Sequence, residues 1–247
     1  MKVKGIIPNF LTQLNLLSGC IAVVLAFGGH LLLTSLFIGF SLIFDFLDGL
    51  AARTLKIKTV TGRDLDSLAD VISFGLVPAI MVFQLMQDST DLPAACIGSQ
   101  PLFPFVAFLL APAAAYRLAL FNNDPRQGES FRGLPTPSAA IFLGSFPLVI
   151  LDAELHGDHF RNILAEMVTG YYWLALFVLV ISTLMISGIR LLSLKFRTLK
   201  PRDNIFRYIL IAGAVVLVIL FGYTAVFLLI PWYIVVSLIG SRTPDIF

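Results

Sequence analysis

The chain has 247 residues, of which 58% are hydrophobic and only 13% charged, with a net charge of +2. A soluble domain carries about 25% charged residues, so these figures and a mean hydropathy of +0.92 exclude a soluble protein and identify an integral membrane one. Two cysteines, Cys20 and Cys96, exclude a disulfide framework and a cysteine metal knot.

Apolar runs near 20 residues long predict an all-α membrane bundle of eight transmembrane helices in one domain, 1–247. The expected cores are 11–28, 31–53, 66–87, 102–121, 138–151, 168–190, 206–221 and 224–240. Lys2 and Lys4 lead into the first run without an obvious small-residue cleavage site, which reads as a first span rather than a removed signal. The second carries Asp45 and Asp48 in DFLDGLAAR, and a short loop with Thr59 and Thr61 precedes Asp66 and Asp70 in GRDLDSLAD. Arg117 closes the fourth, and the following loop holds Arg126, Arg132, Pro135 and Pro137, whose prolines blur the start of the fifth. With the N-terminus in the cytosol, every basic residue except Arg161 falls on the inner side, including the KFRTLKPRD loop at 195–203 and Arg242. Positive charge is retained inside, so the pattern supports this count of spans. Asp88, Asp91, Asp152, Glu154 and Asp158 fall in outer loops, as do His30, His156 and His159 at or beyond that boundary.

Carboxylates at membrane depth are expensive and mark function. Asp45 and Asp48 are spaced i, i+3 and Asp66 and Asp70 i, i+4, so each pair projects from one face of its helix. Two facing helices would gather all four near the inner interface. An all-oxygen cluster of that kind calls for cations, Mg²⁺ or Mn²⁺ rather than zinc. Gly49, Ala52 and Gly62 keep the surroundings low enough for a diphosphate, and Arg53 offers a fork for its oxygens. A cation transporter lined by the same aspartates is a reading of a different class, though the acidic set occurs once and near one face.

The string Asp45-x-x-Asp48-Gly49-x-x-Ala52-Arg53, eight residues, then Gly62-x-x-x-Asp66-x-x-x-Asp70 resembles the signature of the CDP-alcohol phosphotransferase family. The resemblance implies a six-helix core, here with two additions, and a homodimer. It implies that Asp45, Asp48, Asp66 and Asp70 bind two divalent cations, that Asp70 also accepts the acceptor's proton, and that Gly49, Arg53 and Thr59 touch the CDP-lipid. Metal coordination lowers a carboxylate's basicity, so either Asp70 keeps one oxygen free or the metal acidifies the acceptor hydroxyl. PNFLTQLN at 8–15 is similar to the family's lead-in, which adds Asn9 and Thr12 as nucleotide contacts. AYRLALFN at 115–122 and FRGLPTPSAA at 131–140 resemble segments of the family's serine-accepting branch. The implied substrates are CDP-diacylglycerol and L-serine, with Arg117 and Arg132 as candidates for the serine carboxylate. Glycerol-3-phosphate or inositol as acceptor and an archaeal lipid core stay open. The expected setting is the cytoplasmic membrane of a prokaryote with the site facing the cytosol, among membrane lipids and without nucleic acid.

Overall fold

The fold is taken from a computed structural model that describes residues 6–56, 59–97, 100–123, 131–192 and 204–240. Lys2, Lys4, Lys58, Arg126, the 195–203 loop and Arg242 lie outside the described residues. Helices α1 (Ile6–Phe27) and α2 (Leu31–Thr54) form an antiparallel hairpin through the Gly28–His30 turn. The third span is composite: α3 (Val60–Asp70), one π-helical turn (Val71–Leu76) and α4 (Val77–Gln87). A 3₁₀ segment, Phe103–Leu109, leads into α5 (Leu110–Asn123), and α6 (Thr136–Gly144) and α7 (Phe146–His156) share the fifth span. Then come α8 (His159–Thr169), α9 (Tyr171–Ile186), α10 (Ile205–Phe221) and α11 (Ala225–Gly240). Among the described residues four two-residue strands pair antiparallel, β1 (Cys96–Ile97) with β2 (Gln100–Pro101) and β3 (Phe131–Arg132) with β4 (Arg190–Leu191).

Helices dominate because no water is present in the bilayer core to satisfy a backbone N–H or C=O. Among the described residues six stretches are long and apolar enough to cross a membrane, with α8 and α9 making a seventh if taken as one bent span. One of the six, Ile205–Gly240, folds back at Gly222–Thr224: Trp232 Nε1 donates to Leu210 O at 3.2 Å, and Gly240 meets the ring of Phe206. Those contacts define two antiparallel helices, so all eight expected spans are present.

Two spans differ from the sequence expectation, each for a local reason. The fifth span runs from Thr136 to His156 rather than 138–151, and it breaks at Ser145. Pro147 has no N–H to offer Leu143 O, and Ser145 Oγ instead turns back to donate to Phe142 O at 2.6 Å. The sixth bends by 75° at Gly170. There the carboxylate of Asp91, from a distant loop, accepts from Tyr171 N at 2.7 Å and supplies the negative charge that a helix start favours. Hydrogen bonds from Ser89 and from the Tyr171 backbone hold the Asp91 carboxyl below its usual range.

Asp152 corrects the expectation of an outer-loop residue. It lies on α7 and is fully buried. Its Oδ2 accepts from Arg161 Nε at 2.9 Å, from Thr224 Oγ1 at 2.6 Å and from Thr224 N at 3.2 Å. One carboxylate thus ties α7, α8 and the α10–α11 turn together, and it explains why Arg161 is the basic residue at the opposite end from the others. Nearby Asp158 caps α8 by accepting from Arg161 N at 2.9 Å.

The interior is packed by aromatic contacts rather than by hydrophobic expulsion, since lipid tails are as apolar as the side chains. Phe142 stacks on Phe227 at 4.9 Å between centroids and meets Phe146 and Phe177 edge-on, joining α6, α7, α9 and α11. That block leaves α1, α2, α3 and α5 to frame the acidic end.

Candidate active site

Asp45 and Asp48 face inward from α2, and Asp66 meets them from α3. One carboxylate oxygen of each lies within 4.8 Å of the other two. Asp66 Oδ1 is buried with no hydrogen-bond partner among the described residues. An orphaned acceptor in a ring of three carboxylates fits a divalent cation, whose charge would relieve the mutual repulsion and whose oxygen preference matches the donor set. Asp70 lies outside that group of three, one turn further along α3, buried with 6% exposure and still close enough to feel the charge of Asp45 and Asp66.

Helix α1 supplies what holds the carboxylates in place. Thr12 Oγ1 lies 2.6 Å from Asp48 Oδ2 and also 3.1 Å from Pro8 O, so its single proton has two acceptors and the charged one attracts it more strongly. Asn15 Nδ2 donates to Asp70 Oδ1 at 3.2 Å. The carbonyl of Asn15 in turn accepts from Ser41 Oγ on α2 at 3.3 Å and from Ser73 Oγ at 3.1 Å. One residue of α1 is therefore fixed from both sides while its amide steers Asp70.

The π-helical turn after Asp70 explains how α3 and α4 can be one span yet face different neighbours. Pro78 removes the N–H that Phe74 O would receive in a regular helix, and the widened turn accommodates that loss. Two glycines then let the backbone come close. A Cβ on Gly19 of α1 would stand 3.2 Å from Ser73 Cα, and one on Gly75 would stand 2.9 Å from Ala114 Cβ of α5. The turn is thus pinched between α1 and α5 just beyond Asp70.

Asn9, Thr59 and Gly62 share one corner: a Cβ on Gly62 would be 2.7 Å from Thr59 Oγ1 and 3.3 Å from Asn9 Oδ1. Thr59 caps α3 by accepting from Gly62 N at 3.0 Å. The guanidinium of exposed Arg53 lies over Gly49, 3.8 Å from where a Cβ would be, with Ala52 half-buried beside it. Of the expected CDP-lipid contacts, Thr12 differs in that its hydroxyl is already engaged by Asp48. At the mouth, Asn122 Nδ2 donates to Ser67 Oγ at 2.7 Å and Arg63 Nη1 reaches Asn122 O at 3.4 Å, closing α3 onto the end of α5.

The two candidate acceptor arginines separate sharply. Arg117 is 6% exposed, its Nε has no hydrogen-bond partner among the described residues, its guanidinium sits 5.3 Å over the ring of Phe121, and it feels the charge of Asp70. Arg132 is exposed on β3. The loop that carries it is held firmly: Gly133 N donates to Ile189 O and Leu134 N to Leu184 O, each at 2.9 Å. Gly133 has φ of +72°, and a Cβ there would approach Ser187 O to 2.9 Å, so only glycine fits this crossing.

Asn15, Ser41 and Ser73 were not singled out from the sequence. The spacing of Thr12 and Asn15, i, i+3 in an otherwise apolar helix, was the available signal: two polar groups on one face of a membrane span need partners.

An eight-span membrane protein with an acidic, cation-compatible site at one end of its bundle is the class that fold and geometry define. A model of the CDP-alcohol phosphatidyltransferase family matches residues 5–179, and the chain belongs to that family. It is 32% identical over 155 residues to the archaetidylserine synthase of Methanothermobacter thermautotrophicus, a match covering 60% of this chain and 60% of that protein, less than two thirds of its length. It is 30% identical over 206 residues to the CDP-diacylglycerol–serine O-phosphatidyltransferase of Helicobacter pylori, covering 83% of this chain and 77% of that one. The protein of the same name from Methanocaldococcus jannaschii is 29% identical over 184 residues, 74% of this chain and 72% of its own.

Proposed function

We propose that the chain transfers a phosphatidyl group from CDP-diacylglycerol to the hydroxyl of L-serine, giving phosphatidylserine and CMP. The observation that carries this reading is the convergence of Asp45, Asp48 and Asp66 beside a buried, separately held Asp70, in a chain whose relatives are named for transfer to serine. Asp45, Asp48 and Asp66 would hold one divalent cation and, with Asp70, a second, Mg²⁺ or Mn²⁺. When bound, these ions supply charge neutralisation at the phosphodiester.

The chain's own residues do the rest. Arg53 and the Asn9–Thr59–Gly62 corner receive the diphosphate, with Gly49 and Ala52 leaving room for it. Asp70, oriented by Asn15, accepts the proton of the serine hydroxyl as its oxygen bonds to the lipid-bearing phosphorus and the bond to CMP breaks. Arg117 pairs with the serine carboxylate, which gives its orphaned Nε an acceptor. Arg132 lines the approach.

The site end also carries Arg53, Lys56, Arg63, Arg132 and Arg207, while Arg161 is at the other, which supports a cytosolic orientation of the site in the cytoplasmic membrane of a prokaryote. The opposite end supports an enzyme over a cation path, because its buried carboxylate, Asp152, is already paired through Oδ2 with the cationic Arg161 and held by Thr224. The family resemblance adds a homodimer to the proposal.

Detergent-purified protein given CDP-diacylglycerol, Mn²⁺ or Mg²⁺ and labelled serine is expected to form labelled phospholipid and CMP. CMP release with glycerol-3-phosphate or inositol and none with serine would overturn the acceptor. For Arg117→Gln we expect the serine KM to rise about tenfold or more, the loss of a charge-assisted hydrogen bond. Arg132→Ala, at an exposed position, is expected to raise it less. An unchanged serine KM in both variants would move the carboxylate site elsewhere.

A further inference from the structure

Helix α8 stands apart from the spans. It meets α9 at 75°, so while α9 runs with the bundle, α8 lies across the end opposite the aspartates. Its 11 residues are not needed to cross the bilayer. The 16 residues of α9 rise about 24 Å by themselves, most of the roughly 30 Å of hydrocarbon. Helix α9 also opens on Tyr171, Tyr172 and Trp173, the last two exposed, as aromatic residues do at a membrane boundary.

At helical spacing the sequence HFRNILAEMVT divides into three faces. Leu164 and Val168 are buried against the bundle, with half-buried Arg161 on the same side. His159, Asn162, Glu166 and Thr169 form a polar face turned away from it, and all four are exposed. On the flank between these two faces, Phe160, Ile163 and Met167 form an apolar strip, the first two exposed and the third half-buried. A helix bathed in water gains nothing from such a strip, and an upright helix in lipid would turn the Glu166 carboxylate toward hydrocarbon. A helix lying in the plane of the interface satisfies both faces.

Both ends of α8 are fastened, so the strip is held outward. Near its start Arg161 Nε donates to Asp152 Oδ2 at 2.9 Å and Arg161 Nη1 pairs with Asp158. At its end Gly170 N donates to Glu166 O at 2.9 Å and Tyr171 N to Asp91 Oδ1 at 2.7 Å. Phe160 rests against Phe221, the last residue of α10, at 5.2 Å between centroids. In the chain the strip is bracketed by exposed Leu155 of α7 and by Tyr172 and Trp173 of α9.

We infer that α8 is an interfacial helix whose partner is the lipid surface at the end of the bundle opposite the aspartates. Phe160, Ile163 and Met167 enter the acyl boundary, His159, Asn162, Glu166 and Thr169 face water, and α9 alone carries the sixth span. Apolar burial rather than charge supplies the attraction, because the one arginine of the helix is already engaged by Asp152 and Asp158.

The test is site-directed spin labelling of the full-length protein in phosphatidylcholine nanodiscs. Cys20→Ser and Cys96→Ser first remove the two exposed thiols. Labels are then attached singly to Phe160→Cys, Asn162→Cys, Ile163→Cys, Glu166→Cys, Met167→Cys and Thr169→Cys. Collision of each nitroxide with oxygen, which concentrates among acyl chains, is compared with collision with a water-soluble nickel complex. Positions 160, 163 and 167 are expected to favour oxygen at one common depth, about 5–10 Å into the boundary. Positions 162, 166 and 169 are expected to favour nickel severalfold, and added phosphatidylglycerol should leave every depth unchanged.

A depth that changes steadily along the helix, by about 10 Å between positions 160 and 167, would make α8 an upright part of the span. Nickel access at all six positions would place it in water, and depth gained only with phosphatidylglycerol would make charge the attraction. Each of these results overturns the inference. If Phe160→Cys disturbs the contact with Phe221, positions 163 and 167 against 162 and 166 decide the same point.

Discussion

Asp70→Asn is expected to abolish turnover while leaving the bundle intact. The substitution is nearly isosteric, and the Asn15 amide still finds an acceptor in the new side-chain carbonyl. Removing a carboxylate that is 6% exposed replaces a charge that is costly to bury with a neutral amide, so stability should hold or rise. What is lost, on the proposed mechanism, is the acceptor for the serine proton. A general base contributes about 10²–10⁴-fold, and CMP release should fall by at least that factor, with thermal unfolding in detergent unchanged. Activity near wild type in a folded variant would remove Asp70 as the base and shift that role to a metal-acidified hydroxyl. The expectation is sharper for Asp70 than for Asp45, Asp48 or Asp66. Those three lie within one 4.8 Å cluster and share their burden, whereas Asp70 stands outside it, held by Asn15.

The spans and the aspartates were legible in the sequence because both rest on local rules. A run of apolar residues long enough to cross the bilayer must be helical, and i, i+3 or i, i+4 spacing fixes a common face whatever the helix packs against. The relation between the two pairs was not legible. Nothing in DFLDGLAAR or GRDLDSLAD says that Asp66 joins Asp45 and Asp48 while Asp70 turns aside to Asn15, because that outcome depends on where α1 runs. The fate of Asp152 shows the same limit. Its position near the end of an apolar run suggested an outer loop, but its partners are 9 residues away at Arg161 and 72 residues away at Thr224. Arg117 and Arg132 looked equivalent as loop-proximal arginines. One is buried beside Asp70 and the other is exposed, a difference set by the π-helical turn that draws α5 against the site.

That dependence on α1 yields the second strong expectation: Gly19→Val, a residue that touches no substrate, should disable the enzyme. Gly19 lies one turn beyond Asn15 on α1, and any Cβ there would meet Ser73, whose Cα would be 3.2 Å away. Backbone cannot yield as a side-chain tip can, so α1 and the π-helical turn must separate. Ser73 Oγ then loses the Asn15 carbonyl, and the Asn15 amide loses its fixed distance to Asp70. Overpacking of this kind destabilises by about 1–3 kcal/mol, which lowers the unfolding temperature in detergent without unfolding the protein at working temperature. The catalytic loss should be larger than the stability loss implies. Misplacement by about 1 Å at a reacting group is sufficient for a 10²-fold fall in rate, and kcat should drop by about that much. The KM for CDP-diacylglycerol should change little, since Arg53 and the Asn9–Thr59–Gly62 corner lie on the other side of α1's contact with Ser73. The milder Gly19→Ala, which adds a single methyl against the same backbone, should lose activity in the same direction but by less. Full activity in Gly19→Val would show that α1 does not hold Asp70, and that the carboxylate finds its orientation from α3 alone.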